Sequence, residues 1–159
     1  MTDPARQLHD ARQMKRLREL RERSALQALH AAEAAVRDAE AAMREREAVM
    51  RRLQAEREQL SQRIVGDCAP RMGRLAVYAS AAQEVLDDQL ERTEYALLDD
   101  EEALHDARQK AAQTRAVWLR AVGQHSAAGT LVGDARKALR RDREARLDRE
   151  DAPAWRPSH

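Results

Sequence analysis

The feature that most constrains the fold is a heptad pattern of apolar residues that runs along most of the chain and is broken once. In the first part, eleven positions alternate in spacing between three and four residues, and nine of them are apolar. These positions are Leu29, Ala32, Val36, Ala39, Met43, Arg46, Met50, Leu53, Arg57, Leu60 and Ile64. Such spacing predicts a long helix that buries a narrow stripe against a partner helix.

A second frame of the same kind follows. Its apolar positions include Met72, Ala76, Ala79, Leu86, Leu90, Leu97, Leu104, Ala107, Ala111, Trp118, Ala121, Val132, Ala135 and Leu139. Polar residues interrupt this second frame at Gln83, Thr93, Asp100, Thr114, His125 and Asp142. Two frames of this length predict two long helices rather than one.

The stretch GDCAPRMG, residues 66–73, separates the two frames and holds two of the five glycines and the single cysteine. Gly66 is the usual residue just past a helix C-terminus, whereas Pro70 cannot continue a helix and is tolerated in the first turn of the next one. We therefore predict an all-α fold in which two long helices form an antiparallel coiled-coil hairpin over residues 1–151. The expected segments are a first helix over about 4–65, a turn over about 66–73, a second helix over about 74–151 and a flexible, disordered tail over 152–159.

Two weak places are expected in these helices. Three glycines in GQHSAAGTLVG, residues 123–133, weaken the C-terminal part of the second helix, since each glycine costs about 1 kcal/mol in a helix interior. In the first helix, Leu8, Leu17 and Leu20 are expected to lie off the heptad frame, which implies a stutter before residue 25.

The register of the hairpin follows from the shortest loop that suits both frames. In that register the numbers of opposing residues add to 136, Leu29 faces Ala107, and an accessible Cys68 lies at the apex. A one-heptad slip, in which the numbers add to 143, is the alternative, and it is disfavoured because it places Met43 against Asp100. In the 136 register, residues after about 135 extend beyond the first helix without a partner.

Composition supports the rod-like interpretation. Ala, Glu, Lys, Leu and Arg account for 93 of the 159 residues, Phe is absent, and only 3% of residues are aromatic. A globular core of normal size cannot be built from these residues. With one cysteine there is no intramolecular disulfide, and an apolar run long enough for a membrane span or signal peptide is missing. We expect a cytoplasmic protein.

Charge is segregated along the chain although the net charge is only +1. Residues 84–106 hold ten acids and one arginine, a net charge of −9, whereas residues 108–146 hold ten basic groups and three acids, a net charge of +7. Residues 5–24 hold seven basic groups and three acids, a net charge of +4. The hairpin would bring both basic segments to the pole that bears the chain termini.

No residue pattern indicates catalysis, a cofactor or a metal. Glu102 and His105 form a single E-x-x-H motif, but a di-iron site needs two such motifs and further glutamates. GQHSAAGT lacks the lysine and the preceding strand of a phosphate loop. Cys68 has no histidine nearby to activate it. We therefore expect a protein that is not an enzyme.

Binding to nucleic acid or to a membrane surface is also disfavoured. Asp10, Glu19 and Glu22 interrupt the basic N-terminal stretch and would oppose phosphate contacts. The basic segments lack the bulky apolar face that an interfacial membrane helix requires.

Several segments resemble the FliJ and YscO proteins of bacterial type III export machines, most closely the YscO-like members of plant-pathogen Hrp systems. The segments are the basic N-terminal heptad helix, the Gly/Pro loop, RLAVYASAAQEVL (74–86), AQTRAVWLRAV (112–122) and the closing DREDAPAWRPSH. The resemblance implies a two-helix central stalk, peripheral to the inner-membrane secretion apparatus. Such a stalk docks in a hexameric export ATPase, couples it to the membrane export gate and in some members binds export chaperones.

For such a stalk, the basic pole is the expected docking surface. Its candidate partner-binding residues are Arg12, Lys15, Arg16, Arg18, Arg136, Lys137, Arg140 and Arg141. A structural coiled-coil scaffold or tether without an ATPase partner is the alternative, and a basic-helix nucleic-acid binder is a weaker one.

Overall fold

The computed structural model describes residues 3–66 and 72–152. Helix α1 spans Pro4–Gly66 and helix α2 spans Met72–Asp151, and no strand occurs within these ranges. The fold is all-α, a hairpin of two long helices packed against each other, as the heptad pattern predicts. The proposed apex at Cys68 and most of the proposed tail lie outside the described residues.

The start of α1 is fixed by local chemistry. Asp3 precedes the helix, its side-chain Oδ1 accepts a hydrogen bond from the Ala5 amide at 3.1 Å, and its carbonyl accepts one from the Gln7 amide at 3.0 Å. Pro4 occupies the first helical position, where its missing amide hydrogen costs nothing. Asp3 therefore caps a helix whose interior is rich in the strong helix formers Ala, Leu and Arg.

The chain divides into two compact units. The central unit is Ala31–Ala112, and the terminal unit combines Met1–His30 with Gln113–His159. In the central unit, Glu40, Arg46 and Arg57 of α1 pair with Arg108, Asp100 and Asp87 of α2, so the two segments are antiparallel. In the terminal unit, Leu8 and Arg12 lie beside residues 136–143, and residues 21–28 lie beside residues 117–124, which is also an antiparallel order.

In the central unit, three ion pairs connect the helices and define the register. Arg46 contacts Asp100 at 3.0 Å, Arg57 contacts Asp87 at 2.9 Å, and Arg108 contacts Glu40 at 3.2 Å. The paired numbers add to 146, 144 and 148. The expected register of 136 is therefore wrong, and the contacts lie nearer to the one-heptad slip of 143. The physical reason is that Asp100 reaches Arg46, so neither charge is left without a partner in the seam.

The core is the narrow stripe that the heptads predict. The buried apolar side chains are Leu8, Leu29, Ala32, Leu90, Leu104, Ala128 and Val132. Thr93 is the buried polar residue among the described positions, and its hydroxyl donates to the Gln89 carbonyl at 2.7 Å. A helical hydroxyl bonded in this way is tolerated in the stripe because its hydrogen-bonding capacity is satisfied within its own helix.

The predicted stutter in α1 is wrong. Leu8 is buried, with 7% of its surface exposed, whereas Leu17 and Leu20 are 48% and 62% exposed. Leu8 lies 21 residues before Leu29, which is three heptads, so the frame continues through it without a change of phase. Leu17 and Leu20 are simply outer positions of the same regular helix.

Helix α2 is continuous through residues 123–133. Its three glycines adopt ordinary helical conformations, and a Cβ placed on any of them would meet, within 4 Å, no atom other than those of its own turn of helix. The helix is therefore not broken there, and the reduced stability expected from these glycines stays a prediction.

Candidate partner-binding site

Four arginines in the terminal unit line one cleft between α1 and α2. Arg12 comes from α1, and Arg136, Arg140 and Arg143 come from α2. Leu8 and Leu139 complete the lining, with Leu8 buried and Leu139 half-buried. We refer to these six residues as the arginine cluster.

Heptad geometry explains why these side chains converge. Arg136 and Arg143 are seven residues apart and lie on the same face of α2, and Arg140 follows Arg136 by one helical turn. Leu8 and Leu139 occupy seam positions of their helices, so they hold the two backbones together beneath the arginines. Arg12, one turn after Leu8, is carried to the same cleft.

The cluster corrects the expectation that residues after about 135 extend beyond α1. Arg136, Leu139 and Arg143 share a cleft with Leu8 and Arg12, so α2 is partnered at least as far as residue 143. The register explains this difference as well. Because the numbers of paired residues add to more than 136, the end of α2 lies beside α1 and does not extend beyond it.

The electrostatics of the cluster are unbalanced. All four arginines are exposed, and none of them forms a hydrogen bond or ion pair within the described part of the chain. No acidic residue lines the cleft. Like charges held side by side repel, and an arginine fork is suited to bind carboxylate or phosphate oxygens in a bidentate manner. The arrangement is therefore suited to bind an anionic partner surface.

Three of the eight candidate docking residues belong to the cluster, namely Arg12, Arg136 and Arg140. Lys15 and Arg16 are exposed on α1, and Lys137 and Arg141 are exposed on α2, but none of them lines the cleft. Arg18 is half-buried and donates to Gln124 Oε1 at 2.6 Å, so it has a partner within the chain.

Arg143 and the two leucines beneath the cluster, Leu8 and Leu139, were not among the predicted docking residues. Arg143 could have been found from its seven-residue spacing to Arg136. It was missed because the assumed register left that part of α2 without a neighbouring helix.

The terminal unit also contains a contact between a histidine of α2 and an acid of α1. The Nδ1 atom of His125 contacts Glu22 Oε2, and both side chains are 28% exposed. Both residues occupy seam positions, so the polar interruption at His125 is matched by an acid on α1. The terminal unit therefore combines paired polar groups in its seam with unpaired arginines at its surface.

The described residues contain no group of three or more His, Cys, Asp or Glu side chains placed to hold a metal ion. Neither helix, over the residues described, has a segment apolar enough to cross a membrane.

The fold and the cluster define an all-α helical hairpin that carries four exposed arginines in one cleft. Comparison of the chain with protein-family models, with curated proteins and with solved structures gives no match.

Proposed function

We propose that this chain is a non-enzymatic central stalk of a bacterial type III secretion export apparatus. In this role it docks in the hexameric export ATPase and couples it to the membrane export gate, at the cytoplasmic side of the inner membrane. The observation that carries the proposal is the arginine cluster, which presents four unpaired guanidinium groups on paired helices.

The chemistry of the cluster suits a ring-shaped protein partner. The pore of a hexameric ring can offer carboxylates and backbone carbonyls from several subunits, and guanidinium groups bind both kinds of acceptor. Two antiparallel helices present different residues on different sides. Their contacts with the six subunits of a ring therefore cannot all be equivalent.

This inequality gives a mechanism without catalysis by the stalk itself. A stalk that binds one asymmetric arrangement of the ring more tightly than the others stabilises that arrangement. If the ring and the gate both favour the same state of the stalk, binding of the ring raises the affinity of the stalk for the gate. Binding of the gate then raises the affinity of the stalk for the ring by the same factor, because such coupling is reciprocal. Export chaperones that bind the stalk would act through this coupling as well.

The test is ATPase turnover of a purified export ATPase, at fixed salt, with the folded chain added in excess. We expect the parent chain to stimulate turnover. A variant with Arg12→Glu, Arg136→Glu, Arg140→Glu and Arg143→Glu should not. Exposed charge contacts contribute about 0.2–1 kcal/mol each, so losing four weakens docking by about fourfold to about a thousandfold.

A matched control separates docking from bulk charge. Arg37, Arg44, Arg51 and Arg52 are also exposed and have no partner within the described residues, but they lie in the central unit. Their combined replacement by Glu changes the net charge by the same amount and should preserve stimulation. Circular dichroism verifies that both variants remain helical.

Equal stimulation by the parent and the cluster variant would contradict the docking assignment. No stimulation by the parent would instead favour a scaffold or tether without an ATPase partner. Retention of the parent on a nucleic-acid column at moderate salt would favour the nucleic-acid alternative.

A further inference from the structure

A groove in the terminal unit differs from the arginine cluster in its chemistry. It is lined by Arg21, Ala25 and Ala28 of α1 and by Val117, Arg120 and Ala121 of α2, and the polar side chains Ser24 and Gln124 also line it. Its floor is made of small side chains, because Ala25 and Ala121 occupy seam positions. Val117 is 51% exposed on its rim, and Leu17, one turn before Arg21 on α1, is 48% exposed.

The two arginines of this groove have no partner within the described part of the chain. The groove therefore has an apolar, alanine-rich floor and a rim with two free positive charges. A helix that carries bulky apolar side chains between acidic ones would complement both features.

The chain itself carries such a surface, in the central unit. Glu91, Tyr95, Leu98 and Glu102 follow each other on α2 at spacings of four, three and four residues, so they form one ridge along the helix. Tyr95 is 64% exposed and Leu98 is 59% exposed. Glu91 and Glu102 are exposed and have no ion pair within the described residues. We call these four residues the acidic ridge.

We propose that the groove binds the acidic ridge of a second copy of this chain. Tyr95 and Leu98 fill the space above the alanine floor, and Glu91 and Glu102 meet Arg21 and Arg120. Burial of two large apolar side chains supplies part of the attraction, and the opposite charges supply the rest and select this pairing over others. The proposal does not depend on the stalk function, and its residues do not overlap with the arginine cluster.

Because the attraction is partly electrostatic between exposed groups, association should weaken as salt rises. Sedimentation velocity of the full-length chain measures this directly. We expect a concentration-dependent rise in average mass at low ionic strength and a smaller rise at high ionic strength, where only the apolar contact remains. A monomer at low ionic strength throughout the accessible concentration range would overturn the proposal.

Charge reversal identifies the surfaces. A variant with Arg21→Glu and Arg120→Glu should associate at least about tenfold more weakly, because two exposed contacts become repulsions. A variant with Glu91→Arg and Glu102→Arg should be weakened to a similar extent. An equimolar mixture of the two variants should associate again, since each reversed groove then meets a reversed ridge. Failure of the mixture to associate would refute the pairing.

Two further variants keep the test specific. Arg44→Glu with Arg51→Glu makes the same charge change at exposed, unpaired positions outside the groove and should leave association within about twofold of the parent. Equal weakening by this control would mean that net charge, not the groove, drives association. Tyr95→Ser with Leu98→Ser removes only the apolar part of the ridge. It should reduce association at every salt concentration, and unchanged association would overturn the proposed fit.

Discussion

The ion pair between Arg46 and Asp100 makes a sharp prediction about stability, because its partners differ in how far they can reach. The two atoms, Arg46 Nε and Asp100 Oδ2, are 3.0 Å apart, and both residues occupy seam positions. The Asp100 side chain is 18% exposed and the Arg46 side chain is 41% exposed. Arginine can extend its charge to water along an apolar stem, whereas a short aspartate cannot.

Removing the two partners should therefore have unequal effects. Arg46→Leu leaves a largely buried carboxylate without its hydrogen bond, and we expect a loss of about 1–2 kcal/mol. This is the cost of a broken hydrogen bond to a charged group, reduced because Arg46 is partly exposed. Asp100→Leu leaves an arginine that can reach solvent, and we expect a change within about 0.5 kcal/mol. The double variant should be as stable as the parent or more so, since apolar replacement of a buried pair is often neutral or stabilising.

Urea unfolding followed by circular dichroism gives the three free energies and the coupling between the two sites. We expect a coupling of about 1–2 kcal/mol for Arg46 and Asp100. The matched control is the pair Arg57 and Asp87, whose side chains are 55% and 49% exposed. Its coupling should stay below about 0.5 kcal/mol, as for other exposed pairs. Equal couplings in the two pairs, or equal losses from the two single variants, would refute the reasoning.

Two other measurements test the seam and the glycines. Leu104→Ala should lower the free energy of unfolding by about 2–3 kcal/mol, because Leu104 is 7% exposed, whereas Leu131→Ala, at 50% exposure on the same helix, should change it by less than about 0.5 kcal/mol. Thermal and urea unfolding measure both variants. Equal losses of stability from the two variants would contradict the placement of Leu104 in the core. Combined replacement of Gly123, Gly129 and Gly133 by Ala should stabilise the chain by up to about 3 kcal/mol, because helix propensity improves and the added Cβ atoms meet no atom within 4 Å beyond their own turn of helix. A lower melting temperature would contradict the open surroundings of these glycines in the helix pair.

The heptad pattern predicted the fold and the seam well because periodicity is a local property. The half-buried and buried positions of α2 follow the predicted frame from Ala79 to Leu139, and α1 follows its own frame from Leu29 to Ile64 with only Arg57 exposed. Each position can be assigned from its neighbours three and four residues away, without knowledge of the opposite helix.

The register could not be obtained in this way, because many alignments of two alanine-rich seams pack large residues against small ones. The shortest loop favoured the wrong register, whereas the polar seam residues carried the discriminating information. Arg46 contacts Asp100, and Glu22 contacts His125. An alignment that paired opposite charges in the seam would have been closer to the structure.

The candidate site could be predicted only in part, because part of it depends on the register. Charge segregation indicated the basic pole and three of its four clustered arginines. The cleft itself depends on which part of α2 lies beside Leu8, and that depends on the register. The pairing of Arg18 with Gln124 also requires a known neighbour across the helix pair.

The composition of the arginine cluster has a consequence for the order in which the molecule is made. Arg12 and Arg136 are 124 positions apart in the sequence, so Arg12 leaves the ribosome long before its neighbour in the cleft is synthesised. A contact of this separation also closes a long loop, whose entropic cost must be met before the contact contributes stability. The four guanidinium groups therefore come together only after α2 has been made and paired with α1. A partner that requires all four thus distinguishes a chain with paired helices from a nascent or unfolded one.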